Sequence, residues 1–342
     1  MEENRKLGVG VVGLGLVAAE HIKAYMENAE CEIVAFCSRD REAAKARAEG
    51  LGLRRCEVFD DIEKMLKRPE IDIVSICTPN NLHVEQGIAV AQAGKNLVME
   101  KPIALDIAGA RALEKAVRQA GIKNVVCFVL HWYPRYVNQR ALVKSGAIGD
   151  VFMADCEYLH GHLERYPTQW RWIWKKSMGG STLLQGGIHA VDAMRQFMKA
   201  KAAEVTAYSH RHTEKYEYEP TIAGVVKFAD GSIAKITSTF ETSMPYQLNL
   251  RLYGTRGTIQ NGFLWSEVMA PQQNGWASFP AIGPDSGDPS HHPFSPLVEH
   301  IVAAVRSGQP AFPDISDALQ SHEIAFAADI SAAEHRSVRL PL

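Results

Sequence analysis

An excess of charge of either sign is missing from this 342-residue chain, in which 37 lysines and arginines stand against 39 aspartates and glutamates for a net charge of −2. That balance gives no long-range attraction to a phosphate backbone or an anionic bilayer. It points away from nucleic acid and membrane partners and toward a small-molecule ligand. No stretch reaches the roughly 18 apolar residues that a membrane-spanning helix needs. The opening MEENRKLGVG has no cationic stretch followed by an apolar core, so no secretion signal is read there. The six cysteines (Cys31, Cys37, Cys56, Cys77, Cys127 and Cys156) form no C-x-x-C pair and lie mostly in apolar runs. Buried free thiols in a reducing compartment, the cytoplasm, are expected. Internal repeats and low-complexity tracts are also absent. His291 and His292 have no further ligand residue at metal spacing, so no metal is expected.

What is present is ordinary globular material, 46% hydrophobic and 22% charged, in a length that suits two domains of roughly 100–200 residues each. Up to about residue 125, short β-branched runs (LGVGVVGL, CEIVAFCS, IDIVSICTP, KNLVMEKP, NVVCFVLHW) alternate with amphipathic ones. Strands apolar on both faces with short connections imply a doubly wound parallel α/β sheet covered by helices. One helix is spelled out in full: Asp106 caps it, Ile107, Ala110, Leu113, Val117 and Ala120 make its stripe, and Gly121 ends it. Beyond about residue 150 come longer alternating strands, VFMADCEYLHG and PTIAGVVKFADGSIAKITSTFE, the latter turning at Asp230-Gly231. A second hairpin turns near Gly254–Gly257, and helices are expected near 293–307 and 316–334. The second half therefore reads as an α+β domain on a large, open, mostly antiparallel sheet. The expected domains are 1–125 and 126–342.

The glycines of VGVVGLGLVAAEHIKAY (9–25) form Gly13-x-Gly15-x-x-Ala18 directly after a strand and at the start of a helix. In a dinucleotide site, Gly13 makes the tight turn, Gly15 lets backbone approach the pyrophosphate, and Ala18 permits close helix–strand packing. The helix N-terminus, from Leu16 and Val17 onward, supplies unpaired N–H groups and partial positive charge. At the end of the second strand an NAD-selective protein places an acidic residue against the ribose. This chain has Ser38-Arg39-Asp40. A hydroxyl followed by a guanidinium suits a 2′-phosphate and tilts the expectation from NAD toward NADP, while Asp40 on the ribose of NAD is the alternative.

Two further strand ends carry polar residues, CTPNNLH (77–83) and MEKP (99–102). Ligands of open parallel sheets lie beyond the carboxyl ends of strands, so Thr78, Pro79, Asn80, His83, Glu100 and Lys101 are expected to border the nicotinamide. Gly13-x-Gly15, Thr78-Pro79-Asn80-x-x-His83, Glu100-Lys101-Pro102, GGSTLLQGGIHAVD (179–192) and the GTRGTI hairpin together resemble the glucose–fructose oxidoreductase / inositol dehydrogenase / rhizopine-catabolism (Gfo/Idh/MocA) family. The resemblance covers nearly the whole chain. It implies a Rossmann domain, an NAD(P)-dependent oxidoreductase of sugars or cyclitols, and a homodimer or homotetramer paired through the second-domain sheet. It also implies that Lys101 meets the reacting hydroxyl and that His189 is the other acid–base group. Oxidising an alcohol needs such a base, because the O–H proton must leave as the C–H hydride departs. The family's usual Asp four residues before the histidine is Gln185 here, so Lys101 is expected to carry more of the proton transfer, with His189 and Gln185 orienting substrate. Asp192, three residues after His189, is expected to hold its tautomer.

Trp170, Trp172 and Trp174 alternate, which on an extended segment puts them on one face with Arg171 opposite. Core packing competes there with a sugar platform at Trp172 and an anion site among Arg165, Arg171, Lys175 and Lys176. At the domain crossover His131, Tyr133 and Arg135 are candidate substrate contacts. The family also leaves two other activities open: redox-neutral, NAD-using glycoside cleavage or elimination, and a non-catalytic sugar or cofactor sensor.

Overall fold

Six apolar stretches, β1 (Leu7–Val12), β2 (Cys31–Cys37), β3 (Glu57–Phe59), β4 (Ile71–Ile76), β5 (Asn96–Met99) and β6 (Asn124–Val126), pair in parallel in the order β3-β2-β1-β4-β5-β6. The computed structural model describes residues 5–161, 168–279 and 288–342, and contacts group them into two units. This sheet is the centre of the first. β1 is buried at every position because helices cover both faces. The helices are α1 (Leu16–Glu27), α2 (Arg41–Gly50), α3 (Ile62–Leu66), α4 (His83–Gln92) and α5 (Ile107–Ala120). As expected, Asp106 accepts from Gly109 N–H at the start of α5; of the expected stripe Ala110, Leu113 and Val117 face inward, while at its two ends Ile107 is half-buried and Ala120 exposed. The short β3, which carries no β-branched run, was not legible. The strand order reverses direction between β1 and β4, so their carboxyl ends flank the crevice where ligands of this architecture bind.

The second unit comprises Phe128–His292 and Gln320–Leu342. Its strands are β7 (Val151–Leu159), β8 (Ala202–His210), β9 (Thr221–Phe228), β10 (Ile233–Thr239), β11 (Gln247–Gly254), β12 (Gly257–Gln260), β13 (Phe263–Ser266), β14 (Ala277–Ser278) and β15 (Val338–Arg339). They line up as β14-β13-β12-β11-β7-β10-β9-β8-β15, with β7 and β10 parallel and the other pairs antiparallel. Both expected hairpins, β9–β10 and β11–β12, are present. Helices α6 (Pro134–Lys144), α7 (Lys176–Gly179) and α8 (Ile188–Arg195) belong to this unit, and α8 lies on the inner faces of β7 and β11. Register places Asp155, Glu157, Lys235, Asn249, Arg251 and Tyr253 on the opposite face, a polar centre flanked by exposed Tyr208, Val225 and Ile233 on one side and Phe263 and Trp265 on the other.

Where the sequence reading runs the second domain unbroken from 126 to 342, Pro293–Leu319 returns to the first unit. Its helix α9 (Phe294–Ser307) buries Leu297, Val298 and Ile301 and packs on α1. Val126 N–H donates to Pro313 O, and Asn124 Oδ1 accepts from Ile315 N–H at the start of α10 (Ile315–Glu334). Such long-range returns leave no local pattern in the text. Among the described residues no helix is long and apolar enough to cross a membrane, and all six cysteines are free.

Candidate active site

In the first unit three neighbouring strand ends form one ledge. Backbone bonds continue past them: Cys77 N–H donates to Val12 O and Glu100 N–H to Ile76 O. Gly13 sits at φ +82°, and a Cβ there would meet Cys77 O and Thr78 Cγ2 at 2.8 Å, so the turn requires glycine. Gly15 differs: the space a Cβ would take is open. Gly15 also stands at the N-cap of α1, where no side chain caps the helix and the first turn has no acidic residue. Leu16 is exposed and Val17 half-buried, while Ala18 is fully enclosed. An uncapped helix N-terminus beside an open glycine fits a dinucleotide pyrophosphate.

At the end of β2 the Asp40 carboxylate accepts Ala43 N–H at 2.9 Å and caps α2. That occupies one oxygen of the residue weighed as the ribose ligand. Ser38 is half-buried and Arg39 is exposed. Arg47, which the sequence reading missed, donates from α2 to Leu14 O at 2.8 Å and anchors the glycine loop. An arginine in the last turn of a polar helix gave no signal of this.

Thr78 Oγ1 donates to Gln86 Oε1, and Asn80 is buried in a one-turn 3₁₀ segment that starts α4 after Pro79. His83 corrects an expectation. It is wholly enclosed, with Nδ1 2.6 Å from Pro102 O and Nε2 2.9 Å from Thr78 O, so it ties two strand-end loops together and offers no surface to a ligand. Burial lowers its proton affinity, against the pull of both carbonyls. Glu100 is likewise buried. Its Oε1 meets His21 Nε2 at 3.0 Å, and its Oε2 accepts the Lys101 N–H at 3.2 Å. Glu100 therefore supports Lys101 from beneath. The half-buried Lys101 follows β5, and burial holds its ammonium below the usual lysine range, opposed by the Glu100 carboxylate. The ligand atoms of His21, Glu100 and Cys127 all lie within 4.8 Å of one another. Their contacts with each other account for that arrangement. His21 was legible only as a polar residue on the buried side of α1, beside Ala18, Ile22 and Tyr25.

In the second unit, Gln185 lies in a π-helical turn, Leu183–Gly187, that runs into α8 and brings His189 onto the inner face of the sheet. Gly186 and Gly187 let that turn approach closely, since Cβ atoms there would strike Tyr158 and Ser238. Inserted π turns recur at functional sites. Gln185 is half-buried and His189 buried.

Asp192 does not hold the His189 tautomer. Its Oδ2 meets His131 Nε2 at 2.9 Å, and its Oδ1 accepts from Ser321 at 3.0 Å with Arg195 3.6 Å away. Three residues along α8 does turn it inward, but the nearest ring there is His131. Burial opposes the charge on Asp192, and His131 and Arg195 hold its carboxyl below the usual range. The other crossover candidates are also engaged within the unit: Tyr133 donates to His291 O at 2.6 Å, and Arg135 to Leu248 O at 2.9 Å.

The tryptophan segment is not extended. Thr168–Trp174 is a 3₁₀ helix, where residues two apart diverge, so the shared face does not exist. Residues three apart do align, and Arg171 lies over the Trp174 ring at 5.4 Å. Trp172 packs against a cluster of Ile173, Tyr216, Tyr218 and Phe240, the core-packing alternative. Arg165 and the side chain of Trp170 lie outside the described residues.

The model of an oxidoreductase family with an NAD-binding Rossmann fold, GFO_IDH_MocA, matches residues 7–129, and the GFO/IDH/MocA C-terminal domain matches 136–260. The chain is 29% identical over 256 residues to the 1,5-anhydro-D-fructose reductase of Ensifer adhaerens, a span covering 73% of this chain and 74% of that one. It is 27% identical over 345 residues to the inositol 2-dehydrogenase of Rhizobium meliloti (strain 1021), covering 97% and 98%. Among solved structures, that of an oxidoreductase domain protein from Kribbella flavida aligns with a TM-score of 0.88 at 25% identity, covering 99% of this chain and 100% of that chain.

Proposed function

This chain belongs to the GFO/IDH/MocA family of oxidoreductases, and from that premise we propose that it moves a hydride between a nicotinamide dinucleotide and a secondary hydroxyl or keto carbon of a sugar, cyclitol or sugar derivative. Relatives named as an anhydrofructose reductase and an inositol dehydrogenase support that substrate class. The carrying observation is the row of neighbouring strand ends in the first unit: the glycine turn after β1, Thr78 after β4, and the half-buried amine of Lys101 after β5.

When bound, the nicotinamide accepts or donates the hydride. The residues Gly13, Gly15, Leu16, Val17, Ser38, Arg39, Thr78, Pro79 and Asn80 hold the dinucleotide. Lys101 hydrogen-bonds the reacting oxygen and takes its proton, a task for which burial prepares its amine. His189 and Gln185 orient the substrate's hydroxyls. An amide cannot stabilise an imidazolium as a carboxylate does, so the larger share of proton transfer falls to Lys101. Exposed Arg39, beside an Asp40 already used as a helix cap, supports NADP over NAD. Exposed Tyr208, Val225, Ile233, Phe263 and Trp265 support a second copy covering the open face of the nine-stranded sheet, as a homodimer or homotetramer. The six free thiols fit a reducing cytoplasm.

A panel of polyols, aldoses, uronates and glycosides, offered with NAD and with NADP and read by absorbance of reduced cofactor, tests this. Turnover of at least one cyclic polyol or sugar is expected. Glycoside cleavage without accumulation of reduced cofactor, or no turnover across the panel, would replace the reading.

A further inference from the structure

His21 is a fully enclosed side chain in the middle of α1, and its two ring nitrogens lead in different directions. Nδ1 lies 3.3 Å from Ser75 Oγ, which in turn lies 2.8 Å from Tyr25 OH. Nε2 lies 3.0 Å from Glu100 Oε1, while the other oxygen of Glu100 accepts the Lys101 backbone N–H. A continuous chain of contacts thus runs from Tyr25 through Ser75, His21 and Glu100 to the backbone of the residue assigned the proton transfer.

We propose that His21 is a positioning residue for Lys101, acting through Glu100: as an imidazolium it holds the carboxylate in place and balances its charge, so that Glu100 does not clamp the lysine amine in its ammonium form. This rests on the assignment of Lys101 as proton acceptor. The groups facing His21 permit the role. From β4 and the loop after it come Ser75 and Cys77; Glu100 and Lys101 follow β5, Cys127 follows β6, Tyr25 shares α1, and the Phe294 ring of α9 stacks at a tilt 4.9 Å away. Cys127 and Tyr25 are pushed up by burial and stay neutral at physiological pH. His83, near Glu100, is held toward its neutral form by burial. Of the groups around His21, Glu100 supplies the carboxylate and Lys101 the amine. Burial alone would strip His21 of its extra proton, but Cys77 and Cys127 beside the ring raise its proton affinity well above the ordinary value, and the Glu100 carboxylate stands 3.0 Å from Nε2 to pair with the imidazolium. The same partner holds Glu100 ionised despite burial. Without the imidazolium, an ionised Glu100 would have Lys101 as its remaining cation, and the amine would keep its proton to higher pH.

The ring state can be read directly in the full-length chain labelled with ¹⁵N-histidine, His21 being assigned by its absence in His21→Gln. Two protonated ring nitrogens are expected at about pH 8, above the ordinary histidine range; a neutral tautomer there overturns the proposal. The Lys101 amine can be followed by ¹³Cε-lysine titration, assigned with Lys101→Met. His21→Gln is expected to raise its midpoint by about one pH unit, and an unmoved midpoint overturns the proposal. Should His21→Gln fail to fold, His21 is assigned instead by its absence in His21→Asn and Glu100→Gln decides: the His21 midpoint must fall to or below the ordinary value, and a midpoint unchanged from the parent chain sinks the idea. Activity of Lys101→Met separates the two readings. If that variant turns over normally, the assignment of Lys101 fails; if it is inactive while the His21 signals contradict the expectation, only the present inference fails.

Discussion

Asp192 Oδ2 lies 2.9 Å from His131 Nε2, both side chains being buried, and joins α8 to the 3₁₀ turn that opens the second unit. Asp192 is also ion-paired with Arg195 at 3.6 Å, and removing one member of a buried ion pair leaves its partner uncompensated. Asp192→Asn is therefore expected to lower stability by about 3–5 kcal/mol at neutral pH, measured by urea midpoint. The folded carboxyl lies below its unfolded value of 3.8, so its contribution is present above that pH and is lost as pH falls through the folded value. The gap between parent and variant should accordingly narrow in acid.

Gly13 and Gly15 separate folding from binding. Gly13→Ala forces a side chain into left-handed backbone and against Cys77 O, so a loss of roughly 1–3 kcal/mol in stability is expected. Gly15→Ala meets open space, so its melting temperature should hold while NADH affinity, read by fluorescence titration, drops tenfold or more.

The α5 cap and stripe, both hairpins and the parallel sheet were legible because each is written within a few residues of itself. His21 and Arg47 were not, since a histidine on an apolar stripe and an arginine at a helix end mean little until the partner, 79 residues away for His21 and 33 for Arg47, is in place. Asp192 was read from helical spacing alone and assigned to the wrong histidine for the same reason. The tryptophans misled because a period of two was taken for a strand where the chain coils into a 3₁₀ helix.

Arg39 bears on coenzyme choice. Arg39→Ala is expected to lower the ratio of kcat/KM for NADP over NAD by tenfold or more, chiefly through KM for NADP, in steady-state assays. A ratio that stays constant removes the guanidinium from 2′-phosphate recognition.

Asp329 on α10 sits beside Ser181, whose Oγ accepts Leu184 N–H at the start of the π turn that carries Gln185. Burial pushes its carboxyl up to about 7, against the pull of Ser181 and Lys176. The native chain then binds an extra proton between the unfolded value of 3.8 and about 7, so this group costs stability as pH rises through that window. Asp329→Asn should be more stable than the parent by roughly 1–3 kcal/mol at pH 8 and indistinguishable from it in strong acid.

The central claim concerns the amine after β5. Steady-state turnover of Lys101→Met and His189→Ala, with whichever polyol or sugar the parent oxidises and with cofactor affinity measured alongside, addresses it most directly. Lys101→Met is expected to bind the dinucleotide normally and lose about 10²–10⁴ in kcat, while His189→Ala raises KM with a much smaller loss in kcat. Equal losses in kcat for the two variants, or a Lys101→Met enzyme that turns over like the parent, would contradict it.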